Sequence, residues 1–220
     1  MAIHNYLNNM HFTKEDIAGM DSKDRLKLIN AVTGIKPANL IGTISEEGVP
    51  NLAIFSSVVH LGSDPALLGF ILRPVGEVPR HTYENIIQNH QYTINHVHRF
   101  FAKQAHYTSA KLERSRSEFE SCQLQAEFLP SFKAPFVKES QLKMGMHFLE
   151  AIPIPRNGTS LVIGEIRHLI MSDTAIDSEG EIDLMALDGV GVSGLNTYYG
   201  LNKLDWFPYA RVEDLSKVKF

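Results

Sequence analysis

Residues 51–74 read NLAIFSSVVHLGSDPALLGFILRP, and their pattern predicts two neighbouring strands. The predicted elements are a strand over 51–60, a turn at 63–65 and a strand over 67–72. The pair Ser56-Ser57 places hydroxyls inside the first strand, and Arg73 ends the second strand with a cation. The interior of a hairpin needs neither feature. This stretch therefore indicates a sheet that also contributes to a binding site.

The rest of the chain reads mainly as short strands with helices between them. The first three strands are joined by short turns, which favours an antiparallel meander because parallel strands need long crossovers. Chains of this kind avoid exposed sheet edges by forming closed or nearly closed barrels. No repeat or linker divides the sequence, so we predict one mainly β domain. Predicted strands cover 40–45, 51–60, 67–72, 92–97, 144–152 and 160–166, and predicted helices cover 21–33, 82–88, 100–105 and a short segment capped at Ser115.

Composition excludes several classes of protein. The 220 residues carry a formal net charge of −4, which disfavours binding to the phosphodiester backbone of a nucleic acid. No apolar run approaches the roughly 20 residues that a membrane-spanning helix needs, and the N-terminus lacks the pattern of a secretory signal. Cys122 is the single cysteine, as expected in a reducing compartment. We therefore expect a cytoplasmic protein with no membrane or nucleic-acid partner.

Two tempting motifs do not carry their usual meaning. Gly189–Gly194 matches G-x-G-x-x-G, but no helix pattern, second strand or acidic residue follows at the spacing of a dinucleotide fingerprint. His96 and His98 lie on the same face of a predicted strand, yet no third ligand is suitably spaced, so we predict no metal site. The glycines are better explained by tight turns.

The segment from Arg73 to the helix predicted at residue 82 carries a stronger signal. The first N–H groups of a helix lack internal partners and bind phosphate readily. Thr82 adds a hydroxyl near the expected N-cap, and Arg73, Arg80 and His81 add donors and positive charge. The alternative is a well-capped helix with two solvated arginines, and this segment alone does not separate the two interpretations.

Small polar residues elsewhere favour the ligand interpretation. Ser56 and Ser57 are predicted to lie beside the strand that ends at Arg73, and small side chains allow a planar ligand to approach the backbone. Thr108-Ser109-Ala110 forms a second small, polar stretch in a predicted loop. Together with the helix start, these residues outline a site for a flat heterocycle with a phosphate tail.

These motifs, taken in order, resemble the flavin reductase-like, FMN-binding split-barrel family. The resemblance covers roughly residues 36–200 and implies a six-stranded, Greek-key split β-barrel that forms a homodimer with FMN at or near the subunit interface. We therefore predict three parts of the chain: an N-terminal helical extension (1–35), the barrel domain (36–200) and a C-terminal tail (201–220) packing on the barrel. The matching segments are IGT at 41–43, GVPNLAIFSS at 48–57, DP at 64–65, LGF at 68–70, RP at 73–74, RHTYENI at 80–86, YTIN at 92–95, TSA at 108–110, SEF at 117–119, LVIGE at 161–165 and GLNTYY at 194–199.

By motif match, the resemblance assigns cofactor contacts but no catalytic side chain, because the chemistry belongs to flavin N5. The residues implied near the isoalloxazine ring are Asn51, Ser56, Ser57 and Val58; those implied at the phosphate are Arg73, Arg80, His81 and Thr82; and those implied to close over the flavin or ribityl chain are Thr108, Ser109 and Ala110.

The implied activity is hydride transfer from NAD(P)H to flavin, with reduced flavin passing to a monooxygenase or another electron acceptor. Two alternatives stay open at this point. One is a non-catalytic, flavin-binding electron-transfer protein, and the other is a split barrel that binds pyridoxal or pyridoxamine phosphate.

Overall fold

The computed structural model describes residues 10–74, 76 and 80–214. Strands predominate and helices lie between them, as predicted. None of the helices in these ranges has the length and apolar character that crossing a membrane would need. The α-helices are α1 (Lys14–Gly19), α2 (Ser22–Ala31), α3 (His81–Asn89), α4 (Ala102–Tyr107) and α5 (Glu118–Ser121). The strands are β1 (Lys36–Pro37), β2 (Asn39–Ile44), β3 (Pro50–Phe55), β4 (Val59–Ser63), β5 (Ala66–Leu72), β6 (Gln91–His96), β7 (Ala126–Leu129), β8 (Phe132–Val137), β9 (Leu142–Ile154), β10 (Thr159–Met171), β11 (Val190–Ser193) and β12 (Thr197–Gly200).

Seven of the strands form one antiparallel sheet in the order β3-β2-β6-β9-β10-β5-β4. Its two edge strands, β3 and β4, are consecutive in the chain and are joined by residues 56–58 alone. Four Cα steps span at most about 15 Å, whereas the edges of a flat seven-stranded sheet would lie about 29 Å apart. The sheet must therefore curl until its edges approach each other, as a split barrel requires.

The strand predicted over residues 51–60 is wrong in one respect. Its first half, β3, pairs with β2, and its second half, β4, pairs with β5. Both antiparallel pairings of the predicted meander are therefore present, but the middle strand is broken at Ser56. This break explains why the sheet has seven strands instead of the six that the resemblance implies.

The curled sheet is buried on both of its faces. Leu40 and Ile41 are adjacent in β2, so their side chains point to opposite faces, yet both are fully buried. Ile41 packs inside the curl in a cluster with Phe70, Tyr92 and other residues. Leu40 packs on the outer face in a cluster that includes Phe119 of α5 and residues of α4 and β11. Helices and the β11–β12 hairpin therefore cover the outside of the sheet next to β3.

Two helix starts differ from their predicted positions. Ser117, instead of Ser115, caps α5, with its hydroxyl accepting from the Phe119 N–H. Arg80 is the N-cap of α3, which makes Thr82 the second helical residue instead of the cap. The turn expected between Arg73 and Arg80 falls largely outside the described residues.

Candidate functional site

An open cleft of about 1210 Å³ lies where the end of β3, the end of β5 and the start of α3 meet. The loop after α4 and the β11–β12 hairpin form its other walls. Ten of the eleven residues predicted for the cofactor site line this one cleft, although they come from four separate segments of the chain. They are Asn51, Ser56, Ser57, Arg73, Arg80, His81, Thr82, Thr108, Ser109 and Ala110.

The corner at residues 56–58 joins the two edges of the sheet at the cleft. The Ser57 hydroxyl accepts from the Ile71 N–H at 3.1 Å and donates to the Ile71 carbonyl at 3.3 Å, so it ties the corner to β5. Val58, the eleventh predicted residue, packs against the core cluster inside the curl and does not line the cleft. The Ser57 hydroxyl is thus engaged within the protein, while Ser56 faces the cleft.

The start of α3 presents backbone donors to the cleft. The first bond within the helix joins the Glu84 N–H to the Arg80 carbonyl at 2.9 Å, so the N–H groups of His81 and Thr82 precede the helical ladder. The Arg80 side chain makes no cap hydrogen bond, and the Glu84 carboxylate accepts from the Arg80 N–H at 3.3 Å. The Arg80 guanidinium lies beside the helix start and donates to the Pro74 carbonyl at 3.3 and 3.4 Å. Such a helix start can bind an anion.

A buried polar network fixes this helix start to the sheet. The Asn51 amide donates to the hydroxyls of Thr43 at 3.2 Å and Thr82 at 3.1 Å, and the Asn85 amide donates to Thr43 at 3.1 Å. All four side chains are buried. Because the Thr82 oxygen accepts from Asn51, its own proton can be donated to a ligand in the cleft.

The loop after α4 uses its hydroxyls to end that helix. Thr108 donates to the Ala105 carbonyl and Ser109 to the His106 carbonyl, both at 2.7 Å. The His106 ring lies 3.2 Å from the Tyr198 hydroxyl, measured from Nδ1, which connects α4 to the β11–β12 hairpin. The predicted Thr108–Ala110 segment therefore forms a fixed wall of the cleft.

Glu118 is a buried carboxylate in the cleft wall. Only 6% of the residue is exposed, and Oε2 accepts from the Leu52 N–H at 3.0 Å. Burial raises the pKa of Glu118, although the bond from Leu52 and the nearby His81 favour the ionised form. This carboxyl therefore holds its proton to a higher pH than an exposed glutamate.

The charge of the cleft is opposite to that of the whole protein. Five cationic side chains and three carboxylates line it, whereas the chain has a net charge of −4. Arg114 is the best neutralised of the cations, since it donates to Glu84 at 2.6 Å. The cations are Lys36, Arg73, Arg80, Lys111 and Arg114, and the carboxylates are Glu84, Glu113 and Glu118. This balance favours an anionic ligand.

The two motifs set aside in the sequence have other roles in the structure. The glycine motif Gly189–Gly194 lies on β11 and the turn to β12, so a strand, not a helix, follows it. Burial lowers the pKa of His96 to about 4, and His98 donates through Nε2 to the Glu139 carbonyl at 2.7 Å. In the described part of the chain, no group of three or more potential ligands could hold a metal ion.

Comparison with known proteins identifies the family. Residues 35–185 match the model of the flavin reductase like domain. The chain belongs to the flavin reductase-like family.

Solved structures of similar proteins confirm the split-barrel fold. A protein from Shewanella frigidimarina NCIMB 400, assigned as a flavin reductase with a split barrel domain, is 48% identical, with a TM-score of 0.87 over 92% of this chain and 100% of that one. Nitrilotriacetate monooxygenase component B from Bacillus cereus has a TM-score of 0.81 at 20% identity, covering 91% and 100% of the two chains. An FMN-binding protein from Thermus thermophilus has a TM-score of 0.65 at 15% identity, covering 80% and 91%.

Within this flavin reductase-like chain, sequence reasoning did not find several residues of the cleft. Lys36 and His106 come from segments without a recognisable motif. Arg114 and Glu118 lie next to a predicted helix cap, so their segment was interpreted as a helix start and not as part of a binding site. Tyr198 belongs to a segment of the resemblance, GLNTYY, whose contacts the sequence left unassigned. All five of these residues are brought to the cleft by tertiary packing.

The raised pKa of Glu118 predicts a stability effect that depends on pH. Because the folded state binds this proton more tightly than the unfolded chain, stability falls as the pH rises from the ordinary value of 4.5 through the raised pKa. Glu118→Gln keeps an oxygen that accepts from Leu52. Its free energy of unfolding, relative to the parent protein, should therefore increase between pH 4.5 and neutrality.

Urea unfolding at several pH values, with Glu120→Gln as the exposed control on the same helix, measures this difference. If the stability of Glu118→Gln relative to the parent protein stays constant or decreases between pH 4.5 and neutrality, the pKa of Glu118 is not raised in the folded state.

Proposed function

We propose that this protein is an FMN-binding flavin oxidoreductase that transfers a hydride from NAD(P)H to flavin. The observation that carries the proposal is one cleft that combines the start of α3, where the His81 and Thr82 N–H groups precede the helical ladder, with the serine-bearing corner at residues 56–58. The first feature suits a phosphate and the second suits the edge of a planar ring. Membership of the flavin reductase-like family supports the same ligand.

The residues present fit FMN. The first-turn N–H groups of α3, the Thr82 hydroxyl and the Arg80 guanidinium would hold the phosphate. Ser56 and the backbone of the corner would face the ring, and apolar residues such as Ile54 and Leu195 supply a surface for it. The cleft exceeds the volume of ~300–1,000 Å³ typical of sites for one small ligand. It therefore has room for a second reactant.

The protein's contribution to the reaction is binding and alignment. When bound, FMN supplies the ring that accepts a hydride. Asn51 acts as a positioning residue, because it fixes Thr82 through a buried hydrogen bond. Ser57 holds the corner against β5, and Thr108 is fixed in the opposite wall by its bond to the Ala105 carbonyl. Orientation of two reactants in one site is itself a large source of rate acceleration.

Cofactor analysis and turnover test this proposal together. Purified protein should take up FMN with a flavin absorbance spectrum, and extraction followed by chromatography should recover FMN. It should also oxidise NADH or NADPH with flavin as the acceptor. Tight flavin binding without turnover would instead indicate an electron-transfer module, and recovery of pyridoxal or pyridoxamine phosphate would overturn the flavin assignment.

Replacing Arg80 by Ala should weaken FMN binding much more than riboflavin binding, because riboflavin lacks the phosphate. Loss of one charged hydrogen bond costs about 1.5–3 kcal/mol, or roughly 10- to 150-fold in Kd. Flavin fluorescence quenching measures both affinities, and Arg116→Ala provides an exposed control away from the cleft. Equal losses for the two flavins would remove Arg80 from the phosphate site.

We also propose that the protein is a homodimer. The apolar face predicted for the helix at 21–33 is uncovered in the single chain, with Leu26 50% and Val32 65% exposed. The C-terminal segment after β12 exposes Leu204 at 92%, Phe207 at 78% and Tyr209 at 88%. Large apolar side chains exposed together along one segment are typical of a protein–protein interface. A second copy of the chain would cover both regions.

Light scattering coupled to size-exclusion chromatography should give a mass about twice the chain mass of 24.7 kDa. The double substitution Leu204→Ser and Phe207→Ser should shift the protein towards the monomer, because it removes apolar area that the interface would bury. A parent protein that stays monomeric at micromolar concentration would refute the dimer.

A further inference from the structure

Lys36 and Arg73 are two of the four cleft cations that form no ion pair within the described residues; the other two are Arg80 and Lys111. The Lys36 ammonium group is held in the wall by two backbone carbonyls, that of Asn30 at 2.7 Å and that of Gly194 at 3.3 Å. Arg73 ends β5 and lines the same cleft. Among the described residues, neither side chain has an ion-pair partner, in contrast to Arg114, which is paired with Glu84.

The two positive charges act on each other. Partial burial and the charge of Arg73 together lower the pKa of Lys36, so the guanidinium is close enough to disfavour the charged lysine. Like charges held near each other without a counterion are unfavourable, and a bound anion relieves the repulsion. Lys36 is anchored by its carbonyl partners, so one member of the pair is held in the cleft wall before any ligand arrives. The arrangement is that of an anion subsite.

This subsite uses different elements from the one proposed for the FMN phosphate. Arg80 and the N–H groups of α3 form the latter, whereas Lys36 belongs to β1, which pairs with β11. The proposed reaction brings a second anionic ligand, the nicotinamide dinucleotide, into a cleft with room beyond FMN. NADPH differs from NADH by one phosphate monoester on the adenosine ribose, and a monoester carries about −1.5 to −2 charges at neutral pH. A pair of cations matches that charge.

We propose that Lys36 and Arg73 bind the 2′-phosphate of NADPH and make this protein prefer NADPH to NADH. This inference rests on the proposed function. An arginine accommodates the same phosphate in dinucleotide-binding folds of a different architecture. Arg73 thereby has a role other than the FMN-phosphate contact that the sequence resemblance implies. The pyrophosphate is a poorer candidate for the pair, because its two charges are spread over two phosphorus atoms and occur equally in NADH.

The first test is the ratio of kcat/KM for NADPH to kcat/KM for NADH. It should exceed one by about tenfold or more in the parent protein, and Lys36→Gln should lower it by about tenfold, the effect of losing one charge-assisted hydrogen bond. The ratio does not depend on the folded fraction of a variant. Lys103→Gln, an exposed lysine outside the cleft, is the matched control and should leave the ratio unchanged.

A parent protein that uses NADH as well as or better than NADPH would overturn the proposal while leaving the oxidoreductase function intact. So would a Lys36→Gln variant that lowers both kcat/KM values equally, because the pair would then serve the shared pyrophosphate. Absence of turnover with either nucleotide would count against the proposed function instead. In that case a binding measurement would decide whether Lys36 and Arg73 form a phosphate subsite.

That measurement is calorimetric titration with 2′,5′-ADP and with 5′-AMP, which needs neither flavin nor turnover. The parent protein should bind 2′,5′-ADP about tenfold or more tightly than 5′-AMP, and Arg73→Ala should remove the difference. Equal affinities in the parent would refute the subsite. A second outcome would also overturn the proposal. It is an Arg73→Ala variant that binds FMN more weakly relative to riboflavin but still binds 2′,5′-ADP more tightly than 5′-AMP, because Arg73 would then contact the FMN phosphate.

Discussion

Three residues, 56–58, have to join the two edges of a seven-stranded sheet, and this constraint determines the rest of the architecture. So short a connection forces the sheet to curl, because the edges of a flat sheet would be about twice as far apart as the link can reach. The corner also interrupts the strand ladder. It leaves backbone and small side chains at the seam, which is the line where the two edges of the sheet approach each other. Ser57 offsets part of that loss by bonding to both backbone groups of Ile71. The cleft lies at the seam because the ladder is broken there.

The helix start is coupled to the sheet beside this seam by buried amides, of which Asn51 is the central one. Asn51 lies on β3 shortly before the corner, and its side chain bonds to Thr43 on β2 and to Thr82 on α3. In a buried site such bonds are costly to leave unmade, so the network favours one placement of α3 relative to the sheet. The two halves of the proposed ligand site, corner and helix start, are therefore held in register by residues that need not contact a ligand themselves.

The sequence predicts features that local pattern controls. Strand positions and the clustering of short polar motifs follow from alternation and turn chemistry, and ten of the eleven predicted site residues do line one cleft. The break at Ser56 was missed, because strand-forming residues lie on both sides of the serine pair and the bend comes from closure of the sheet. Lys36, His106 and Glu118 were missed for a related reason. Each is brought to the site by contacts distant in sequence, and no local spacing records such contacts.

The distribution of charge makes the cleft suited to an anionic ligand. A protein of net charge −4 repels anions on average, yet the cleft lining has more cations than carboxylates. Concave sites with one dominant sign focus the field and attract the complementary ligand even when the overall charge opposes it. One of the cleft carboxylates, Glu84, is paired with Arg114, and burial raises the pKa of another, Glu118. Among the described residues, Lys36, Arg73, Arg80 and Lys111 then remain without an ion-pair partner, so the wall offers net positive charge to a bound phosphate.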